Sequence, residues 1–176
     1  MLATYNALTA RLDHAGDILL PTLARLTFAG VFLIYFIASA GLKYDGTVFS
    51  PSAGGFGQIF PAAAEAVLWD VTQMSVFQRL VIVAGTIAEY VLPVLIVIGL
   101  MTRLAAIGMI GFVLVQTYVD VTGHGAALGG WFSGGAPDLF DQRSLWIVLL
   151  LVLVFKGAGP LSVDGAARLA RQPATA

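Results

Sequence analysis

Cysteine is absent from this chain, which excludes disulfides, thiol redox chemistry, iron–sulfur ligation and cysteine-ligated zinc together. Histidine is nearly absent. His14 and His124 both lie outside the apolar runs, so the sequence offers no facing pair of imidazoles to a membrane haem. Charge is scarce as well: only 11% of the 176 residues are charged, against roughly a quarter in an ordinary soluble chain. The net charge of -1 supplies no basic field for nucleic acid, which is not an expected partner. The ten carboxylates fall almost entirely between the apolar runs, so no metal centre is expected from them.

What remains is hydrophobic, at 59% of the chain, more apolar surface than one soluble core of this size can hide. Four runs carry it. The first, Leu26 to Leu42, is bracketed by Arg25 and Lys43 and extends upstream through Ile18, Leu19 and Leu20. The second, Leu80 to Leu100, lies between Arg79 and Arg103 and holds a single charge, Glu89. The third runs from Leu104 to Val119 and the fourth from Ser144 to Phe155, fading through Gly157 and Gly159 to Pro160. The last two are short and call for tilt or extra turns. The expected fold is an all-α integral membrane protein of one domain, a bundle of four transmembrane helices over 18–42, 80–101, 104–120 and 142–158.

Two further helices are expected outside the spans. Tyr5, Leu8, Leu12 and Ala15, with Arg11, Asp13 and His14 between them, have the spacing of an N-terminal amphipathic helix. In the first extracytoplasmic loop, 43–79, Gly46 to Gln58 reads as irregular chain. Pro61 then opens a short interfacial helix carrying Trp69 and Met74. The second loop, 121–141, is glycine-rich and holds Trp131 and Phe132. Ala38-Ser39-Ala40 has the small residues of a signal-peptide cleavage site, but 25 residues precede the apolar stretch and the run continues to Leu42, so an uncleaved first span is expected. Arg11, Arg25, Arg103, Lys156, Arg168 and Arg171 flank one side of the spans and Lys43, Arg79 and Arg143 the other. That bias places both termini in the cytoplasm and the acidic loops outside.

Glu89 stands near the middle of its span, where a carboxyl is costly and by default marks function. Counting inward from Lys43 and Arg79 as boundaries puts Tyr35 level with Glu89, and Ser39, Thr86 and Gln116 in a polar column leading to it from the acidic face. A bundle-stabilising hydrogen bond from a protonated Glu89 is the bland alternative, as it is for each of the others. A functional Glu89 has three jobs open to it: protonating a bound quinone, relaying protons, or accepting a hydrogen bond from a ligand. Arg25 and Arg103 at the opposite face either contact lipid phosphate or a partner, or simply anchor helix ends.

Taken together, Ala24-Arg25-Leu26, Gly41-Leu42-Lys43, Ala88-Glu89, Gly99-Leu100-Met101-Thr102-Arg103-Leu104-Ala105 and the tail Gly157-Ala158-Gly159-Pro160-Leu161-Ser162-Val163-Asp164 resemble the DoxX family, over most of residues 20 to 165. The loops 44–78 and 120–143 are longer than in compact members, and Tyr35 and Ser39 stand where His or Gln is often found. The resemblance implies a bacterial inner-membrane four-helix bundle, an accessory or anchor subunit of a quinone-linked oxidoreductase. It implies a bound quinone as the one organic cofactor, and lipid and a partner subunit or second copy as neighbours; the midplane carboxyl beside the polar column makes Glu89 the expected proton carrier and Tyr35 its partner. The alternatives are an assembly protein gripping its partner through Trp69, Trp131 and Phe132, and, less in keeping with four short spans lacking repeats, a small-molecule transporter.

Overall fold

The computed structural model describes residues 2–131 and 138–171, and among them the regular structure is helical apart from one isolated bridge, Tyr44 to Pro51. The first helix, α1 (Leu2–Phe28), passes through a π turn at Ala29–Leu33 into α2 (Ile34–Gly41). The amphipathic leader is therefore not a separate surface helix: Gly16 and Pro21 lie within the path without breaking it, and the chain runs helically from Leu2 to Gly41. Loop residues lead into α3 (Ala53–Ile59) and α4 (Pro61–Ala66), followed by the long α5 (Val76–Ile98), α6 (Thr102–Thr122), α7 (Leu139–Lys156) and a short α8 (Val163–Arg171).

Three stretches are long and apolar enough to cross a membrane: Thr4–Gly41, Val76–Ile98 and Thr102–Thr122. Their outward faces carry Val31, Ile34, Leu80, Ile107 and Leu114 in the open, as expected where lipid rather than water is the surrounding solvent. The chain is accordingly a multi-pass membrane protein. The fourth expected run forms α7, which also holds Asp141, Arg143 and Lys156 and packs against α1 and α6.

The core is aromatic on one side. Phe28, Phe32 and Phe36, four residues apart and buried, stay on one line because the wider π turn matches that spacing. Phe32 meets Trp146 of α7 at 4.7 Å between ring centroids and Phe36 meets Phe112 of α6 at 5.8 Å, both edge-on. On the loop side the structure differs from the expectation. Gly54 and Gly55 belong to α3, not to irregular chain, because Ser52 caps that helix by accepting from the Gly55 amide at 3.0 Å. The helix begun by Pro61 stops at Ala66. Trp69 and Met74 thus lie beyond it, with Leu68 and Trp69 in the left-handed region. The Trp69 ring lies against Gly57 so closely that any β-carbon there would fall inside it.

At the other end, segments distant in sequence tie into one knot. Arg25, buried, gives its Nε to Ile96 O at 3.0 Å and its Nη1 to Ala158 O at 3.0 Å and Leu161 O at 2.7 Å; Nη2 reaches Val97 O. These carbonyls lie at the end of α5 and in the tail, where helices run short of amide partners, although Ile96 O also accepts from the Gly99 amide at 3.2 Å. Gly99, at φ 74°, turns the chain out of α5, and a side chain there would strike Arg25. Asp164 completes the knot by capping α6. Its carboxylate accepts from the Met101 amide at 2.9 Å and the Thr102 amide at 3.0 Å.

Burial pushes the Asp164 carboxyl up, but the amides of Thr102 and Met101 and the nearby Arg168 together hold it below the usual carboxylate value of 3.8. A depressed folded-state pKa stabilises the fold above the unfolded value and loses that contribution as pH falls through the folded one. Thermal unfolding should therefore show stability declining below about pH 4, where carboxylates titrate. Asp164→Ala should lose about 1 kcal/mol at neutral pH, as cap losses do, and flatten that acid slope.

Candidate functional site

Small residues face one another across the α5–α6 contact. Ala84, Gly85 and Ala88 on α5 oppose Gly108 and Gly111 on α6, and the volume their side chains do not fill forms a cavity of about 360 Å³, within the range of small-molecule sites. Leu92 closes it where its methyl groups lie against Gly108. Val81, Phe112, Val115 and Val119 complete an apolar wall, into which Lys43, Gln58, Glu89, Gln116 and Asp120 also project.

Glu89 is buried, at 2% exposure, and its partner is Lys43, at 3%. Lys43 Nζ lies 2.6 Å from Glu89 Oε2, and donates further to Ser39 Oγ at 2.8 Å and Ser39 O at 3.2 Å. The Ser39 hydroxyl donates to Glu89 Oε1 at 3.0 Å, and Gln58 Nε2 to Ser39 Oγ at 3.4 Å. The α2 helix ends at Gly41 beside the hydroxyl of Tyr90, the neighbour of Glu89. The Lys43 side chain reaches from just past the end of the first span at Gly41 to Glu89, so counting depth inward from Lys43 misplaces Tyr35. Ser39 and Lys43 take the position opposite Glu89. Tyr35 pairs instead with Gln116, whose Nε2 donates to its hydroxyl at 2.9 Å.

The other sequence-selected residues separate clearly. Gln116 lines the cavity and Ser39 reaches it through Glu89, but the buried Thr86 spends its hydroxyl on Ile82 O one turn back, at 2.8 Å, and does not line the cavity. Arg25 is no contact for lipid or partner, since four backbone carbonyls occupy it. Arg103 is exposed and donates to Phe155 O at 3.2 Å. Trp69 is half exposed, packed against Gly57 of α3, and Trp131 is exposed, with its indole N–H 3.3 Å from Ser144 Oγ. Phe132 lies outside the described residues.

Four participants escaped the sequence reading: Lys43, Gln58, Asp120 and Arg143. Asp120 accepts from Arg143 at 2.9 Å, and the guanidinium stacks over Trp146 at 4.1 Å. A signal for Lys43 was available. A carboxylate within a span needs a nearby cation, and Lys43 is the first basic residue after Arg25. No protein-family model, curated protein or solved structure matches the chain.

Chemically, the site is an apolar chamber with a buried, net-neutral ion pair in its wall. Removing one partner strands the other charge in a low-dielectric interior, at a cost of about 3 kcal/mol or more. Glu89→Gln alone is expected to lower the unfolding temperature in detergent sharply, and the double change Lys43→Met with Glu89→Gln to recover most of that loss. Equal losses in the single and double variants would show that the pair is not the interaction being removed.

Proposed function

We propose that the chain is a DoxX-like accessory subunit of a quinone-linked oxidoreductase in a bacterial inner membrane, and that its α5–α6 cavity receives the quinone head group. The observation that carries this reading is the 360 Å³ apolar chamber with the Lys43–Glu89 pair in its wall. A lipid-soluble ring fits the apolar lining, and a carboxylate at hydrogen-bond reach supplies proton exchange where bulk water is scarce. With no cysteine and no histidine pair, electrons enter and leave through the bound organic molecule and the partner subunit. Glu89 acts as the proton carrier, with Lys43 and Ser39 holding its carboxylate in place.

In this reading α7 is the fourth span. Asp141 and Arg143 stand in its first turns and Lys156 at its last residue, leaving Leu145 to Phe155 wholly apolar. The excess of Lys and Arg on the side of Arg103, Lys156 and Arg168 puts both termini in the cytoplasm. The loop segments also leave Phe49, Leu68, Trp69 and Trp131 exposed, large apolar side chains that a partner would cover.

Gly111 gives a direct test, because a β-carbon there meets nothing within 4 Å while the residue lines the cavity. Gly111→Phe fills the chamber without a backbone clash, and replacing a mid-helix glycine is neutral or stabilising. Protein purified in mild detergent should carry a quinone detectable by mass spectrometry. Gly111→Phe should lower that quinone at least tenfold with no loss of thermal stability. Wild-type protein free of quinone, or a variant that retains it fully, would overturn the reading.

A further inference from the structure

The knot around Arg25 is made of backbone hydrogen bonds, and it leaves two cations over. Arg103, the second residue of α6, gives one nitrogen to Phe155 O at 3.2 Å. Arg168 belongs to α8. Neither enters an ion pair: among the described residues, those join Lys43 to Glu89, Arg143 to Asp120 and Lys156 to Asp17. Both arginines are exposed, yet they converge on Gly157, the residue that ends α7. A β-carbon there would stand 3.3 Å from Arg103 Nε and 3.6 Å from Arg168 Nη2, so the two nitrogens lie within about 7 Å of each other. Like charges so placed repel, and an anion between them relieves the repulsion. The carboxylates nearby have other partners: Asp164 accepts from the Met101 and Thr102 amides, and Asp17 pairs with Lys156.

The depth of these cations follows from the helices that carry them. Arg103 comes directly after the turn where two membrane-crossing helices, Val76–Ile98 and Thr102–Thr122, meet. The Asp164 amide, 2.8 Å from Gly99 O, ties α8 to that same turn. Both guanidiniums therefore stand at the edge of the hydrocarbon, at the level of lipid phosphates. Around α8, Val163, Ala166, Leu169 and Ala170 occupy one side and Arg168 and Arg171 the other, the division of a helix that lies in the membrane interface. Phe155, Leu161 and Leu169 are exposed beside the cations, where acyl chains would cover them.

The oxygens of one phosphate, each taking a hydrogen bond of about 2.8 Å, can bridge guanidiniums at this separation. A zwitterionic head group brings its own ammonium into the gap, whereas an anionic one does not. We infer that Arg103 and Arg168 form a binding site for the phosphate of an acidic phospholipid, with its acyl chains along the exposed apolar side chains of α7 and α8. This site is independent of what the α5–α6 cavity holds.

Native mass spectrometry counts the lipid retained by the full chain in detergent micelles titrated with phosphatidylglycerol, or with phosphatidylcholine of the same acyl chains. Phosphatidylglycerol is expected to bind roughly tenfold more tightly. The double variant Arg103→Gln with Arg168→Gln is expected to lose that preference. Arg11→Gln with Arg79→Gln, which removes the same charge elsewhere, is expected to keep it. Should the first double variant fold poorly, Arg168→Gln alone changes one exposed side chain and is expected to weaken phosphatidylglycerol about fivefold. Equal affinity for the two lipids, a preference that survives in the folded Arg103 and Arg168 variants, or its loss in the Arg11 and Arg79 control overturns the inference. Displacement of phosphatidylglycerol by millimolar inorganic phosphate overturns it too, and marks the site as one for free phosphate.

Discussion

A carboxylate inside an apolar bundle has to be neutralised or paired, and the contact between Lys43 and Glu89, at 2.6 Å, is how this chain meets that requirement. The pair joins the end of the first helical path to the middle of α5. Because the first path is anchored there, α3 and α4 fold over the loop-side half of α5, bringing Gln58 and Ile59 to the cavity and placing Trp69 against Gly57. An isolated charge at this position would be severely unfavourable. The double pairing to Lys43 and Ser39 satisfies both oxygens and holds the carboxylate in a fixed orientation.

The opposite end is organised by backbone rather than by ligand chemistry. Helices leave carbonyls and amides unsatisfied at their ends, and these have no water to turn to where the ends are buried. Arg25 supplies donors to the carbonyls that close α5 and the tail, and Asp164 supplies acceptors to the amides that open α6. The short segments on which the family resemblance rests, around Arg25, from Gly99 to Arg103 and from Gly157 to Asp164, meet in this one knot. Their spacing is understandable as the requirement of a shared joint, independent of what the cavity holds.

Much of the architecture was legible because lipid-facing helices announce themselves by length and apolarity, as in Leu80 to Leu100 and Leu104 to Val119. Glu89 was legible for the complementary reason, as a single charge in an apolar run. Less visible were the continuity of α1 with α2, where interior helix propensity overrode the amphipathic pattern of Tyr5, Leu8 and Leu12, and α3, whose glycine content reads as loop although Ser52 caps it. Tyr35 was assigned to Glu89 because Lys43 was read as a boundary marker, a natural reading of a lysine following an apolar run. A long side chain, however, can bring a charge well away from the level of its own α-carbon.

By itself the sequence determined that the chain is helical, that it belongs in a membrane, and that one carboxyl would stand out within it. These follow from composition and periodicity, which are local properties. Only the tertiary structure decided which cation answers Glu89, that Ala84, Gly85, Ala88, Gly108 and Gly111 face one another to leave a chamber, and that Thr86 turns away from it while Gln116 turns toward it. Those outcomes depend on the rotation and end-point of each helix relative to its neighbours. Packing sets these over segments separated by tens of residues, and no local pattern records them.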